Sequence, residues 1–239
     1  MTPEISIVTP VFNERGSVEA LSSEIAAAFE GVPHEIVFVD DSSDDGTREL
    51  LAELKARYPQ MRVLRHQRRS GQSRAIRSGV MAARGDIVVM LDGDGQYDPK
   101  DAARMVRRLK AAEPELALIG GERVDRQDLG HRRIASRLGN FATRRLLGSP
   151  TRDSGCGLKV FRRAAFLRLP YFDHMHRYFP VLMEREGYAV QFEPISHRPR
   201  PAGVSKYTNW QRALVSILDI LGVWWLRRRM AAPGGVDEV

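Results

Sequence analysis

Ile87-Val88-Val89-Met90-Leu91-Asp92-Gly93-Asp94-Gly95-Gln96 is the stretch that decides the fold. Five apolar residues run without a break into two acids, two glycines and an amide. An uninterrupted apolar run of that length reads as a strand buried on both faces, which is the habit of parallel sheets. The acids stand where such a strand ends, and open α/β sheets bind ligands at the carboxyl ends of their strands. Two carboxylates and an amide oxygen at that spacing can converge on a hard cation such as Mg²⁺ or Mn²⁺. Asp92, Asp94 and Gln96 are the candidate ligands, and Gly93 and Gly95 relax the backbone for that geometry. A plain hydrophilic turn would carry the same letters; the position after a buried strand favours the cation.

The same grammar repeats on either side. Ile5–Thr9, Glu35–Val39, Met61–Leu64 and Leu116–Ile119 read as further strands. Ser17–Phe29, Thr47–Tyr58, Ser73–Ala83 and Pro99–Lys110 read as the helices between them, with start signals at Gly16-Ser17, Asp45-Gly46-Thr47 and Asp98-Pro99. Strand and helix in alternation predict a mostly parallel sheet with helices on both faces. Beyond Gly121 the rhythm changes. Residues 130–147 are basic and amphipathic, Gly157–Phe161 and Val190–Ile195 read as strands, Tyr178–Arg185 as a short helix, and 196–209 as a polar loop. Trp210–Arg229 is an apolar helix with basic ends, and the expected organisation is a domain over 1–209, that helix, and a disordered tail over 230–239.

Two more strand ends carry polar clusters. Val39-Asp40-Asp41-Ser42-Ser43-Asp44-Asp45 packs four acids into six residues, costly unless they bind something. Asp44 and Asp45 are expected as helix caps. Asp40 and Asp41 are left to accept hydrogen bonds from a nucleobase or ribose. Thr9-Pro10-Val11-Phe12-Asn13-Glu14 follows the first strand, where Phe12 could line a base pocket and Glu14 could accept from a ribose hydroxyl.

Bulk composition narrows the partners. The 239 residues carry a net charge of +7, with 43% hydrophobic and 28% charged residues, which is a globular balance. Residues 1–120 hold 16 basic against 19 acidic side chains and residues 121–239 hold 21 against 11, so the halves are −3 and +10. An acidic half suits a cation with a nucleotide, and a basic half suits phosphates or an anionic membrane. A nucleic-acid binder would explain the overall charge, but the acidic strand ends would repel its ligand. A dehydrogenase would place Gly-x-Gly-x-x-Gly where Pro10-to-Glu14 stands, and a nucleotidyltransferase would want an early glycine-rich loop. The single Cys156 excludes an internal disulfide and reads as a packed small residue.

Taken in order, Pro10-to-Glu14, Val39-Asp40-Asp41, Gly71-Gln72-Ser73-Arg74 and Asp92-to-Pro99 resemble family 2 glycosyltransferases of the GT-A fold. Asp153-Ser154-Gly155-Cys156-Gly157 and Arg200-Pro201-Ala202-Gly203-Val204-Ser205-Lys206 resemble the motifs of the polyprenyl-phosphate sugar synthases, the dolichol-phosphate mannose synthase-like subfamily. The resemblance spans residues 5 to about 229. It implies an α/β, Rossmann-like sheet that binds a nucleotide-sugar, with Asp92, Asp94 and Gln96 holding Mg²⁺ or Mn²⁺ on the donor diphosphate. It also implies a donor pocket from Pro10, Phe12, Glu14, Val39, Asp40, Asp41 and Gly93. Arg123 would meet the diphosphate, Arg200 and Lys206 the donor or acceptor phosphate. Arg132, Ser136, Arg137 and Ser205 stand as candidates for the acceptor phosphate, an ordinary basic face being the alternative for the first three.

The implied reaction is inverting transfer of a sugar to a polyprenyl phosphate, with transfer to a saccharide as the alternative. Gly203–Tyr207 with Trp224-Trp225-Leu226-Arg227-Arg228 looks like bacterial members that load a hexuronic acid. The expected location is the cytoplasmic face of the inner membrane, held peripherally. No stretch reaches ~18 unbroken apolar residues, so the Ala213–Leu226 segment should lie in the interface plane or pack on protein. A second copy or a small membrane partner are further candidate partners, and nucleic acid is not expected.

Overall fold

The structure, a computed structural model, describes residues 2–124, 144–148, 153, 155–200 and 209–229, with the backbone alone for 209–216. Seven strands form one sheet: β1 (Ile5–Val11), β2 (His34–Asp40), β3 (Met61–Arg65), β4 (Ile87–Met90), β5 (Leu116–Arg123), β6 (Lys159–Arg162) and β7 (Ala189–Ile195), in the order β3-β2-β1-β4-β6-β5-β7. β3, β2, β1 and β4 run parallel, as do β5 and β7, while β6 lies antiparallel between β4 and β5. The expected α/β sheet is therefore present and mostly parallel. The direction of β6 is the feature that its local pattern did not carry.

The apolar runs form strands because both faces are covered. All seven residues of β1 and all four of β4 are buried. On one side lie α1 (Val18–Ala28), α2 (Thr47–Arg57) and α4 (Pro99–Ala111), packed through Leu21, Ile25, Leu51, Leu54, Met105 and Leu109. On the other lie α3 (Gln72–Ala82), the short helices Arg163–Leu167 and Phe179–Arg185, and part of the terminal helix Asn209–Arg228. Phe161, Phe166 and Phe179 form a ring cluster at the centre of that second layer.

Two buried polar residues sit at the amino ends of the strands. The Ser6 hydroxyl donates to Glu35 (2.7 Å), as do Arg62 Nη1 (2.6 Å) and the Arg84 N–H (2.6 Å). These donors compensate the carboxylate for leaving water. Gly85 is required beside them, since a Cβ there would stand 2.7 Å from the Ile5 backbone.

The expected caps differ from what is found: the N-cap of α2 is Gly46. Asp45, one residue earlier, accepts from the first N–H of the helix, that of Thr47 (3.0 Å). Asp44 instead exchanges two hydrogen bonds with the Asn13 side chain, at 2.6 and 2.9 Å, and so ties the β2 loop to the β1 loop. Asn13 reaches it from a left-handed backbone, a conformation asparagine tolerates better than most residues.

The terminal helix has two characters at once. Ile220 and Val223 are buried against the domain, Arg185 Nε donates to the Leu226 carbonyl (3.1 Å), and His174 Nδ1 meets Asp219 (3.2 Å). Ile217, Leu218, Leu221, Trp224 and Trp225 remain exposed. Packing on protein and an outward apolar face, set against each other by sequence alone, coexist. Among the described residues no helix is long and apolar enough to cross a membrane.

Candidate active site

Three loops leave the carboxyl ends of β1, β2 and β4 and meet. Strand register places Val11 beside Asp40, the Asp41 N–H donates to Val11 O (2.9 Å), and the Leu91 N–H donates to Val8 O (3.1 Å). The Asp92–Gln96 loop lies directly on the end of β1. A Cβ at Gly93 would stand 2.5 Å from Val11 Cγ1 and 3.1 Å from the Pro10 carbonyl, so only glycine lets the loop come this close.

Asp92 is held from two sides. Gln72 Nε2, at the start of α3, donates to its Oδ1 (2.8 Å). Gly157 presses on the other oxygen: a Cβ there would fall 1.8 Å from Oδ2. Gly157 is itself fixed, because its N–H donates to the Tyr97 hydroxyl (2.9 Å) and the buried Lys159 Nζ donates to the Cys156 carbonyl. Burial, and then repulsion from Asp94, push the Asp92 carboxyl up to about 7. Lys159, Arg123 and Gln72 pull the other way without winning. Part of the Asp92 surface still opens to the cleft.

Two carboxylates crowded at a strand end form a place that a divalent cation would relieve. The donor set is all hard oxygen. Among the described residues no three His, Cys, Asp or Glu side chains converge as a metal cage. Mg²⁺-type sites take one or two carboxylates and complete the shell with substrate phosphates and water. Gln96 is tied to Arg198, with its side-chain Nε2 donating to the Arg198 carbonyl (3.2 Å) and its backbone carbonyl accepting from the Arg198 N–H (2.8 Å).

Asp40 and Asp41 divide their work. Asp41 accepts from His66 Nδ1 (2.7 Å) and from the Ser70 and Gly71 N–H groups (2.8 Å each), so its carboxylate shapes the turn into α3. Asp40 Oδ1 accepts from the Ser43 N–H (2.9 Å), while Oδ2 is buried with no hydrogen-bond partner among the described residues. Such an acceptor needs an N–H or O–H from elsewhere. Val39 does not open to the cleft by its side chain. It is fully buried and faces α3, where a Cβ on Gly79 would come within 3.0 Å of it. Phe12 lies 4.1 Å beneath the Arg69 guanidinium.

The far wall comes from the segment after β7. Arg198 forks onto both Glu24 oxygens (3.0 Å each) and reaches Asp98 (2.5 Å), which pins this segment over the Asp92–Asp98 loop. Two residues on, Arg200 Nη2 donates to Glu14 Oε1. Arg200 Nε is buried and has no acceptor among the described residues. Arg123 and Asp153 make a two-pronged pair at 2.6 and 2.7 Å. The guanidinium expected at a diphosphate thus gives two of its five donors to a protein carboxylate.

Cys156 is the packed small residue expected, and burial pushes its thiol up to about 11. Arg132, Ser136, Arg137, Ser205 and Lys206 lie outside the described residues. Gln72, Tyr97, Gly157, Lys159 and Arg198 had no assigned role in the sequence reading. Each acts on a partner at least 20 residues away or through the backbone, which no local spacing reveals, although all five fall inside or beside the quoted motifs.

A mostly parallel sheet whose strand ends bring together an acidic pair, an unfilled carboxylate oxygen and a guanidinium with an unfilled Nε has the layout of a GT-A-type transferase. The chain matches Glycosyl transferase family 2 over residues 6–169 and belongs to that family. It is 35% identical to the dodecaprenyl-phosphate galacturonate synthase of Rhizobium johnstonii, over 97% of this chain and 69% of the relative. It is also 35% identical to the undecaprenyl-phosphate 4-deoxy-4-formamido-L-arabinose transferase of Edwardsiella ictaluri, over 85% of this chain and 62% of the relative. The chain thus spans about two thirds of the length of these relatives. Among solved structures, a mannosyltransferase from Pyrobaculum calidifontis bound to GDP-Man and Mn²⁺ superposes with a TM-score of 0.67 at 19% identity, covering 98% of this chain and 66% of that one. Glucosyl-3-phosphoglycerate synthase from Mycobacterium tuberculosis, bound to Mn²⁺, UDP and glucosyl-3-phosphoglycerate, gives 0.68 at 20% identity, covering 97% and 82%. These two likenesses establish the fold.

Proposed function

We propose that this glycosyltransferase moves a sugar from a nucleotide-sugar to a polyprenyl phosphate at a membrane surface, with Mg²⁺ or Mn²⁺ bound by Asp92 and Asp94. The observation that carries the reading is the Asp92–Asp94 pair after β4, with Asp92 bonded by Gln72 and backed by Gly157. The names of the relatives supply the acceptor class, and the structural neighbours that bind Mn²⁺ with nucleotides supply the cofactor class.

In this reading Asp92 and Asp94 would hold the cation, which would supply charge neutralisation to the donor diphosphate. The chain's own residues bind and orient. Asp40 Oδ2 accepts from the base, and Phe12 and Glu14 border the nucleoside. Arg200, and Lys206 beyond it, offer donors to phosphate. An acceptor phosphate oxygen attacks the anomeric carbon as the bond to the donor diphosphate breaks, and the nucleoside diphosphate leaves with the electron pair, so the configuration inverts. The attacking oxygen is already anionic near neutral pH, so no side chain has to remove a proton. Positioning and charge stabilisation carry the rate.

The exposed apolar face of the terminal helix, with Trp224 and Trp225 and the arginines 227–229, supports a peripheral seat on lipid. The test is turnover of the full chain with UDP- and GDP-linked sugars and a short polyprenyl phosphate, with and without EDTA. A lipid-linked sugar formed only with Mg²⁺ or Mn²⁺ supports the reading. Turnover on saccharides alone, or indifference to EDTA, overturns it. Hexuronosyl donors are the first to try, given the Rhizobium relative.

A further inference from the structure

At the rim of the site, Arg68, Arg69, Ser70 and Arg74 face Tyr171, Phe172 and Asp173 across an open cleft of about 500 Å³. The walls are locked together. Ser73 of α3 bonds His176 Nδ1 at 2.7 Å, and burial keeps that imidazole well below its ordinary value, hence neutral. Two of the guanidiniums lie over rings, the Arg74 carbon 3.8 Å from the Tyr171 ring centre and the Arg69 carbon 4.1 Å from that of Phe12. A guanidinium held over a ring keeps its charge and can still attract an anion. The acid of the cleft, Asp173, accepts from the Tyr171 hydroxyl (2.8 Å). Among the described residues none of the three arginines pairs with a carboxylate.

This cleft adjoins the terminal helix. His174, next to Asp173, bonds Asp219, and the neighbours of Asp219 on the helix, Ile217 and Leu218, are 56% and 71% exposed. A basic cleft thus stands beside an outward apolar face, the pairing of charge and grease that an anionic bilayer surface complements. We propose that the Arg68–Arg74 cleft seats phosphate headgroups of an anionic bilayer, and that it and the terminal helix form one docking surface that turns the mouth of the site toward lipid. The inference rests on the membrane reading above and adds a second, electrostatic anchor to it.

The test is sedimentation of the full chain with vesicles of phosphatidylcholine alone, and of phosphatidylcholine with an equal part of phosphatidylglycerol. Each arginine near an anionic surface is worth about fivefold in partition, so Arg68→Gln/Arg74→Gln should weaken binding to the mixed vesicles by about 30-fold. Arg68→Lys/Arg74→Lys should bind them nearly as wild type, and binding to neutral vesicles should not change. UDP and GDP affinity should also be unchanged. If wild type binds the mixed vesicles and the Gln variant binds equally well, the cleft is not an anchor, while the helix reading stands. If the Gln variant loses nucleotide affinity, the cleft belongs to the donor site and the proposal fails. If wild type ignores both vesicles, the membrane reading itself falls, and this proposal with it.

Discussion

Gly157 stands so close to Asp92 that a Cβ on the one would fall 1.8 Å from a carboxylate oxygen of the other, across 65 residues of chain. The glycine backs the Asp92 carboxylate, and Gly157→Ala must displace that carboxylate from its place. Mn²⁺ affinity in the presence of UDP, read by EPR or calorimetry, should fall about 10-fold or more, as when supporting residues of a metal site are changed. The melting temperature should move little, because the clash is with a side-chain end. Wild-type Mn²⁺ affinity in Gly157→Ala would remove Gly157 from the site.

Asp94→Asn keeps the size of the side chain and removes one of the two charges. Turnover should drop by at least about 100-fold, with loss of Mn²⁺-dependent donor binding and an intact far-ultraviolet spectrum. An Asp94→Asn enzyme with wild-type turnover, or one still responsive to Mn²⁺, would show that the cation sits elsewhere.

Arg200→Ala removes the guanidinium whose Nε is buried without an acceptor and whose Nη2 meets Glu14. The expected effect is a fall in kcat of about 100-fold or more, with most nucleoside diphosphate affinity kept. A collapse of UDP or GDP binding with kcat preserved would reassign Arg200 to the nucleoside pocket.

The strands and helices of the first 120 residues were legible because burial on both faces writes itself as unbroken apolar runs such as Ile87–Leu91. The three acidic or polar strand ends were legible for the same reason, since position after a buried strand is a local property. The antiparallel setting of β6 was not, because Lys159–Arg162 has the same apolar look whichever way it runs. Nor was the split between Asp40 and Asp41 readable from two adjacent identical letters. It depends on the turn 66–71, which folds back to give Asp41 its three donors and leaves Asp40 Oδ2 bare. Asp44 misled for a related reason, since its partner Asn13 lies 31 residues away.

Glu35 gives a prediction about stability rather than catalysis. Burial raises its pKa, but hydrogen bonds from Ser6, Arg62 and the Arg84 N–H outweigh burial and leave it below 4.5. A carboxylate with a depressed folded value adds stability that is fully present above its unfolded value. That stability is lost as pH falls through the folded value. Glu35→Gln should therefore cost about 1–3 kcal/mol at neutral pH. The gap between the two proteins should narrow as urea titrations are repeated below pH 4.5. A gap that stays constant down to the acid limit would mean that Glu35 acts through shape alone. Turnover should be unaffected, because Glu35 sits at the opposite end of the strands from the acidic pair.

The terminal helix separates packing from lipid contact residue by residue. Ile220 and Val223 are 8% and 1% exposed, while Leu218, Leu221 and Trp225 are 71%, 53% and 54% exposed. Val223→Ala should lower stability by about 1–3 kcal/mol through the lost buried methyls. It should leave binding to mixed phosphatidylcholine and phosphatidylglycerol vesicles nearly intact. Leu218→Ser/Leu221→Ser/Trp225→Ser should do the reverse. Exposed side chains contribute little to folding, so its melting temperature should stay near wild type while vesicle binding and turnover of a long-chain acceptor fall together. Nucleotide binding should survive, since the acidic pair and Asp40 lie on the sheet and not on the helix. If the triple variant unfolds, its outward face is a protein contact and not a lipid one. If it stays folded and still binds vesicles, the helix is not the anchor and the basic surface alone must be.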